Sequence, residues 1–169
     1  MLKVCQQSGA NHSVFEYQRS DFSHYDSDMI MWADNFLIFY YTLFPDNEPD
    51  LLYPGSKVEL ANELKKKLPD IHEDLKKILG LDLSGLSLSA IPLELIYLEN
   101  LKELDISDNA IKSLPEFLFI MASLKTLTAM NCGLQEIPPT IVSSNLKKIN
   151  ISDNNITDLS SEVIEFLDQ

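Results

Sequence analysis

The sequence predicts an α/β solenoid, with four short parallel strands side by side on a concave face behind an N-terminal helical cap. Three observations predict it. The stretch LKELDISDN, opening at Leu101, returns as LKTLTAMNC at Leu124 and LKKINISDN at Leu146, with a looser copy, ILGLDLSGL, at Ile78. The openings at 78, 101, 124 and 146 lie 23, 23 and 22 residues apart, a fixed period that marks a stack of repeated units. Within the units the apolar residues hold their places. The first (Ile78, Leu101, Leu124, Leu146), fourth (Leu81, Leu104, Leu127, Ile149) and sixth (Leu83, Ile106, Ala129, Ile151) positions carry them, as do the eleventh (Leu88, Ile111, Leu134, Ile156) and fourteenth (Ile91, Leu114, Ile137, Leu159).

Taken in order, residues 1–27 are polar and mixed, with aromatics at Phe15, Tyr17, Phe22 and Tyr25 but no sustained period. They read as irregular chain with one short strand at 14–17. Residues 28–44, DMIMWADNFLIFYYTLF, end at Pro45 and are too long for an ordinary strand, so they predict a helix. Asp28, Asn35 and Thr42 fall on one narrow polar stripe of an otherwise apolar rod, which must be buried on most sides. The stretch is shorter than the roughly 20 residues that span a bilayer, and Asp34 and Asn35 interrupt it, so membrane insertion is not expected.

A second helix opens on a capping box, Ser56 to Glu59, and presents Val58, Leu60, Leu64 and Leu68 on one side. Lys65, Lys66 and Lys67 complement its C-terminal dipole, and Pro69 breaks it. A third helix is expected over 70–79, with Ile71, Leu75 and Ile78 in line. Residues 1–77 thus form a leader and helical cap, and 78–169 the repeats. The cap would cover Leu81, Leu83, Leu86 and Leu88, which the first unit otherwise leaves exposed. At the far end, Ser161 would cap a closing helix whose Val163, Phe166 and Leu167 cover the last unit.

Inside each unit, alternation at the fourth and sixth positions makes a short strand with those side chains inward. Asn109 and Asn154 stand at the ninth position, where a buried amide can bond backbone groups that no regular ladder satisfies. Cys132 takes that place in the third unit and Leu86 in the first, so the ladder of amides starts one coil late. Pro92, Pro115 and Pro138 fill the fifteenth position and turn the chain along the outer face; Ser160 replaces proline in the last unit. Together these residues resemble the leucine-rich repeat family over 78–169. The resemblance implies a protein-binding solenoid whose concave strands carry the contacts.

Composition narrows the partners. With 45% apolar and 23% charged residues, the chain is an ordinary globular one. The net charge of −13, with −5 in residues 1–77 and −8 in 78–169, argues against nucleic acid and anionic membrane. Two cysteines make no disulfide framework, so an intracellular, reducing compartment is expected. The start, MLKVCQQSG, has no apolar core of a secretory signal.

Catalytic grammar is scarce. Cys5, His12, His24 and His72 have no spacing that builds a nucleophilic site, and no CxxC, HExxH or Gly-rich phosphate loop is present. No catalytic residue, metal or cofactor is therefore expected. The alternative class is an enzyme or adaptor using residues 1–79, where LPDIHEDLKKIL faintly resembles the start of an F-box. That stretch is also plain helix grammar.

What remains is the concave face. The candidate partner-binding residues are Lys102, Glu103, Asp105, Ser107 and Asp108 in the second unit, and Lys125, Thr126, Thr128 and Met130 in the third. Lys147, Lys148 and Asn150 complete the set in the fourth. They place an apolar spot at Met130 inside a charged rim. The repeat style, with Ser-Asp-Asn exits and closing prolines, looks like intracellular bacterial or Ras-group leucine-rich repeat proteins. Small size, a Lys/Asn/Ile/Leu-rich composition and no visible signal peptide resemble effectors that intracellular bacteria translocate into host cells. The tail SSEVIEFLDQ is similar to type IV translocation signals and fits a closing helix equally well. The resemblance implies manufacture in a bacterial cytoplasm and delivery to the host cytosol. It also implies a monomer that binds a host protein or another bacterial effector, to modulate or block it.

Overall fold

The computed structural model describes residues 27–46 and 55–168. Helix α1 (Ser27–Leu43) and helix α2 (Lys57–Lys65) pack together. A 3₁₀ turn (Leu68–Ile71) and a single α-helical turn, α3 (His72–Leu75), lead into strand β1 (Gly80–Asp82). Three further strands follow: β2 (Glu103–Asp105), β3 (Thr126–Thr128) and β4 (Lys148–Asn150). They form one parallel sheet in the order β1-β2-β3-β4, with Leu81, Leu104, Leu127 and Ile149 in register. Opposite the strands run 3₁₀ Leu93–Tyr97, α4 (Phe117–Ile120), 3₁₀ Pro139–Ser143 and α5 (Ser161–Leu167). A parallel sheet flanked by helical segments is the arrangement of a leucine-rich-repeat-like solenoid.

The cap forms for the reasons its sequence gives. Ser56 and Glu59 make the reciprocal capping box, with Ser56 N–H donating to Glu59 Oε2 at 2.7 Å and Glu59 N–H donating to Ser56 Oγ at 3.2 Å. From α1, Ala33, Phe36, Phe39 and Tyr40 are buried, and from α2 Val58, Leu60, Ala61 and Leu64; all join one core with Leu81, Leu83 and Leu88. The helix expected over 70–79 is shorter and tighter. It begins as 3₁₀ at Leu68, because Pro69 occupies the first turn, and ends at Leu75, the side chain that seals it. The strand expected at 14–17 lies outside the described residues.

The polar stripe of α1 has a specific use. Asn35 is buried; its Oδ1 accepts the Ser89 N–H at 3.0 Å, and its Nδ2 donates to Ser89 Oγ at 3.1 Å and Met31 O at 2.9 Å. The ladder of amides therefore does not simply start late at Leu86. A cap asparagine satisfies the first unit from outside.

A second joint is ionic. Glu94 is only 2% exposed, yet its Oε1 lies 2.6 Å from Lys65 Nζ and accepts the Trp32 indole N–H at 3.3 Å. Lys65 also sits 5.2 Å from the Trp32 ring centroid. Glu94 Oε2 is buried with no hydrogen-bond partner among the described residues, so Oε1 carries the compensation for that charge. Lys65→Met is expected to destabilise by about 2–3 kcal/mol in urea melts, since it strands a buried carboxylate. Glu94→Gln in the same chain should recover most of the loss; an additive double mutant would show that the pair is not coupled.

Candidate functional site

Four consecutive strand exits share one conformation. Gly85, Asp108, Asn131 and Asp153, each the eighth residue of its unit, have φ of 66°, 56°, 51° and 58°. Left-handed backbone favours Gly, Asn and Asp, so the acidic-polar row along this edge has a backbone origin. Asp108 Oδ1 also accepts the Asn131 side-chain N–H at 2.8 Å, tying neighbouring exits together.

Behind the exits, the ninth residues fix the stack. Asn109 Oδ1 accepts the Leu88 N–H at 2.8 Å, and its Nδ2 donates to the carbonyls of Leu83, Ile106 and Ser107. Asn154 does the same two rungs on, accepting from Cys132 and Leu134 and donating to Ala129, Ile151 and Ser152. Cys132 Sγ donates to Ile106 O at 3.1 Å, so the thiol fills the rung between them. Burial pushes the Cys132 thiol above its ordinary range, the opposite of what a nucleophile needs.

This scaffold puts the candidate residues on one face in columns. Glu103, Thr126 and Lys148 align across the sheet, and so do Asp105, Thr128 and Asn150. Thr126, Thr128, Met130 and Asp105 at the centre are half-buried, while Glu103, Lys148 and Asn150 are exposed. Several polar groups are already used: Asp105 Oδ1 accepts the Ser107 N–H and Asn150 Oδ1 accepts the Ser152 N–H. Ser107 is buried and its hydroxyl accepts the Met130 N–H at 3.2 Å, so it positions the Met130 backbone and offers a partner little surface.

The basic row follows the strand entries. Lys102 and Lys147 are exposed, and Lys125 is half-buried with Nζ donating to Ala122 O at 3.0 Å. Among the described residues none of Lys102, Lys125, Lys147 and Lys148 has a carboxylate partner, whereas Lys57, Lys65, Lys66, Lys76 and Lys77 of the cap all do. The face therefore runs from cations with no carboxylate partner among the described residues, at the strand entries, to acidic and amide groups at the exits, across a half-buried centre.

Other chemistry is thin. Among the described residues no group of His, Cys, Asp and Glu could hold a metal, and no helix is long and apolar enough to cross a membrane. His72 Nε2 lies 3.4 Å from Glu99 at the joint between cap and repeats. Cys5, His12 and His24 lie outside the described residues.

Comparison with known proteins gives a partial match. A leucine-rich repeat family model fits residues 97–113 and 142–160, the two stretches that hold β2 with Asn109 and β4 with Asn154. Among solved structures, the chain is similar to the leucine-rich repeat domain of the type III effector XopL. The match has 19% identity and a TM-score of 0.43, and covers 84% of this chain. The chain spans 56% of that domain's length. No curated protein matches.

Proposed function

We propose that this chain is a non-enzymatic protein-binding module: four coils over 78–169 behind a cap in 1–77, acting by covering a partner's surface with its concave face. The observation that carries the reading is the half-buried patch of Thr126, Thr128 and Met130, framed by four lysines that have no carboxylate partner among the described residues. Fixed cations and anions at opposite edges select a complementary partner and steer its approach, while the desolvated centre holds it. The repeat style supports a bacterial effector delivered into a host cell, with a host signalling protein or another effector enzyme as the partner.

The sheet sets a limit on the contact. Four strands about 4.8 Å apart give a face only roughly 15–20 Å wide. That is narrow beside the ~800 Å² per partner of a standard interface, so the rim must contribute.

The test begins with capture of the partner from host lysate on the immobilised chain, identified by mass spectrometry. Met130→Asp puts a charge where water is excluded and leaves the inward residues untouched. It is expected to lower affinity at least ~100-fold, in the range of a hot-spot loss, with the melting temperature nearly unchanged. Lys112→Glu, exposed on the path beyond the ninth residue, should bind normally. Normal binding by Met130→Asp together with failure of Lys112→Glu would move the site off the concave face.

A further inference from the structure

The outer row of helical segments, opposite the strands, carries apolar side chains that the core does not use. Ile120 in α4 is 79% exposed and Leu93 in the first 3₁₀ segment 55% exposed; Ile96 and Val142 are exposed as well. Each segment has its own inward anchor, since Leu95, Leu118 and Ile141 are fully buried. Tyr97, Phe117 and Met121 in the same row are half-buried. A single exposed isoleucine is ordinary on a protein surface. Here exposed apolar residues recur in each successive coil, on segments that pack side by side: Leu93–Tyr97 on α4, and α4 on Pro139–Ser143. The latter segment has α5 on its far side. Ile120 and Val142 therefore stay exposed with row neighbours on both sides, and the ridge belongs to the interior of the stack.

The charge on this row has one sign. The outer paths, residues 89–100, 113–123, 137–145 and 157–168, hold Glu94, Glu99, Glu116 and the acids of the last stretch, and no Lys, Arg or His. The lysines of the repeats lie on the strand side or, in Lys112, just beyond a strand exit. Glu94 is buried in the joint with Lys65, and Glu99 lies near His72 and Lys76. Glu116 is different: it is exposed and has no cationic partner among the described residues. Its backbone is already helical at the start of α4, so it stands one turn before Ile120 on the same helix face. The most exposed apolar side chain of the ridge thus has an uncompensated carboxylate beside it.

We propose that this outer ridge is a second docking surface, and that it takes a basic amphipathic helix of a protein partner. Apolar side chains of that helix lie on Ile96, Ile120 and Val142, and its lysines or arginines reach Glu116 and the other acids of the row. Charge chooses among the occupants that an apolar ridge can take. A second copy would set acids against acids, in a chain of net charge −13. An anionic membrane surface is repelled for the same reason. A cationic segment is attracted, and its apolar face takes the ridge out of water. The length also suits a helix. Segments packed about 8–10 Å apart place the first and third roughly 16–20 Å from each other. At 1.5 Å per residue that is a helix of about 11–13 residues, with anchors at successive turns. The ridge lies across the coil from the concave face, so the proposal does not rest on the concave-face reading, and both surfaces can be occupied together.

The probe is a fluorescent Leu/Lys peptide of about 14 residues with its leucines on one helical face, titrated with the full chain and read by anisotropy. Micromolar binding is expected. Ile120→Asp should weaken it at least ~10-fold although it adds an attractive negative charge, because the apolar anchor is lost. Its melting temperature should not change, since the Ile120 side chain is largely in solvent. Val142→Asp should act in the same direction. Glu116→Lys should weaken binding and flatten its dependence on salt. Met130→Asp, on the concave face, should leave peptide affinity unchanged, so this proposal and the concave-face reading fail on different variants. A peptide of the same composition with its leucines scattered round the helix should bind at least ~10-fold more weakly, and a Leu/Glu peptide of the original pattern should not bind. A parent chain that ignores the Leu/Lys peptide overturns the proposal. Equal binding by Ile120→Asp, or by the Leu/Glu peptide, does so too. Sedimentation velocity and flotation with phosphatidylserine vesicles test the other occupants. A dimer, or vesicle binding, that Ile120→Asp abolishes would assign the ridge to that occupant and overturn it as well.

Discussion

A fragment of residues 78–169, made without the cap, is expected to be an aggregating or poorly cooperative product, while the intact chain melts in one transition. The reason is the amount of apolar surface that changes hands. Phe36, Phe39, Val58, Ala61, Leu68 and Leu75 of the cap are each at most 1% exposed, and they share one core with Leu81, Leu83, Leu88 and Leu95. Uncovering those four repeat residues forfeits about 1.5–3 kcal/mol each, a total on the order of 6–12 kcal/mol. That is comparable to the roughly 5–15 kcal/mol by which whole domains are stable. The fragment also loses the Asn35 bonds to Ser89 and the Lys65 partner of Glu94. In a stack where each unit leans on its neighbours, an unsealed first unit frays into the second. Dynamic light scattering and a thermal melt by circular dichroism decide the matter. A soluble fragment with a sharp melt would mean that the cap is an accessory and not part of the folding unit.

The sequence made the strands, their register and their inward residues legible, because a 22–23-residue period places equivalent side chains without any knowledge of tertiary contacts. The columns Glu103–Thr126–Lys148 and Asp105–Thr128–Asn150 follow from that alone. The capping box at Ser56 was legible because it is a local reciprocal bond. Long-range polar contacts were not. Glu94 reads as a surface acid in LELIY and Lys65 as one of three lysines at a helix end; only folding brings them to 2.6 Å. Asn35 announced itself as polar on an apolar helix, but nothing local named Ser89 as its partner. Asp108 was chosen for its charge, and the structure adds a second reason, its left-handed backbone. Ser107 was chosen as a surface hydroxyl and instead holds the Met130 N–H. The helix over 161–167 was legible from its serine cap and apolar spacing; its cap is Ser160 and not Ser161, with Val163 buried and Phe166 and Leu167 half-buried against the core.

The ladder of amides gives the other large effect. Asn109→Ala is expected to destabilise the chain by about 2–4 kcal/mol, because it orphans the Leu88 N–H and the Leu83 carbonyl at roughly 1–3 kcal/mol for each buried group. Both groups depend on it: Leu88 N–H donates to Asn109 Oδ1 at 2.8 Å, and Leu83 O receives Asn109 Nδ2 at 2.8 Å. The Ile106 carbonyl is less dependent, since Cys132 Sγ also reaches it at 3.1 Å. Asn154→Ala removes one bond more, but from a half-buried rung, where water can take up the freed groups. It should cost less, about 1–2 kcal/mol. Cys132→Ala should cost least, under about 1 kcal/mol, because a thiol is a weak donor and its loss leaves a small void. Urea melts of the three variants, with unchanged slope, read the order directly. Equal losses at Asn109 and Asn154 would show that burial does not set the cost, and a neutral Asn109→Ala would show that the amides do not hold the coils together.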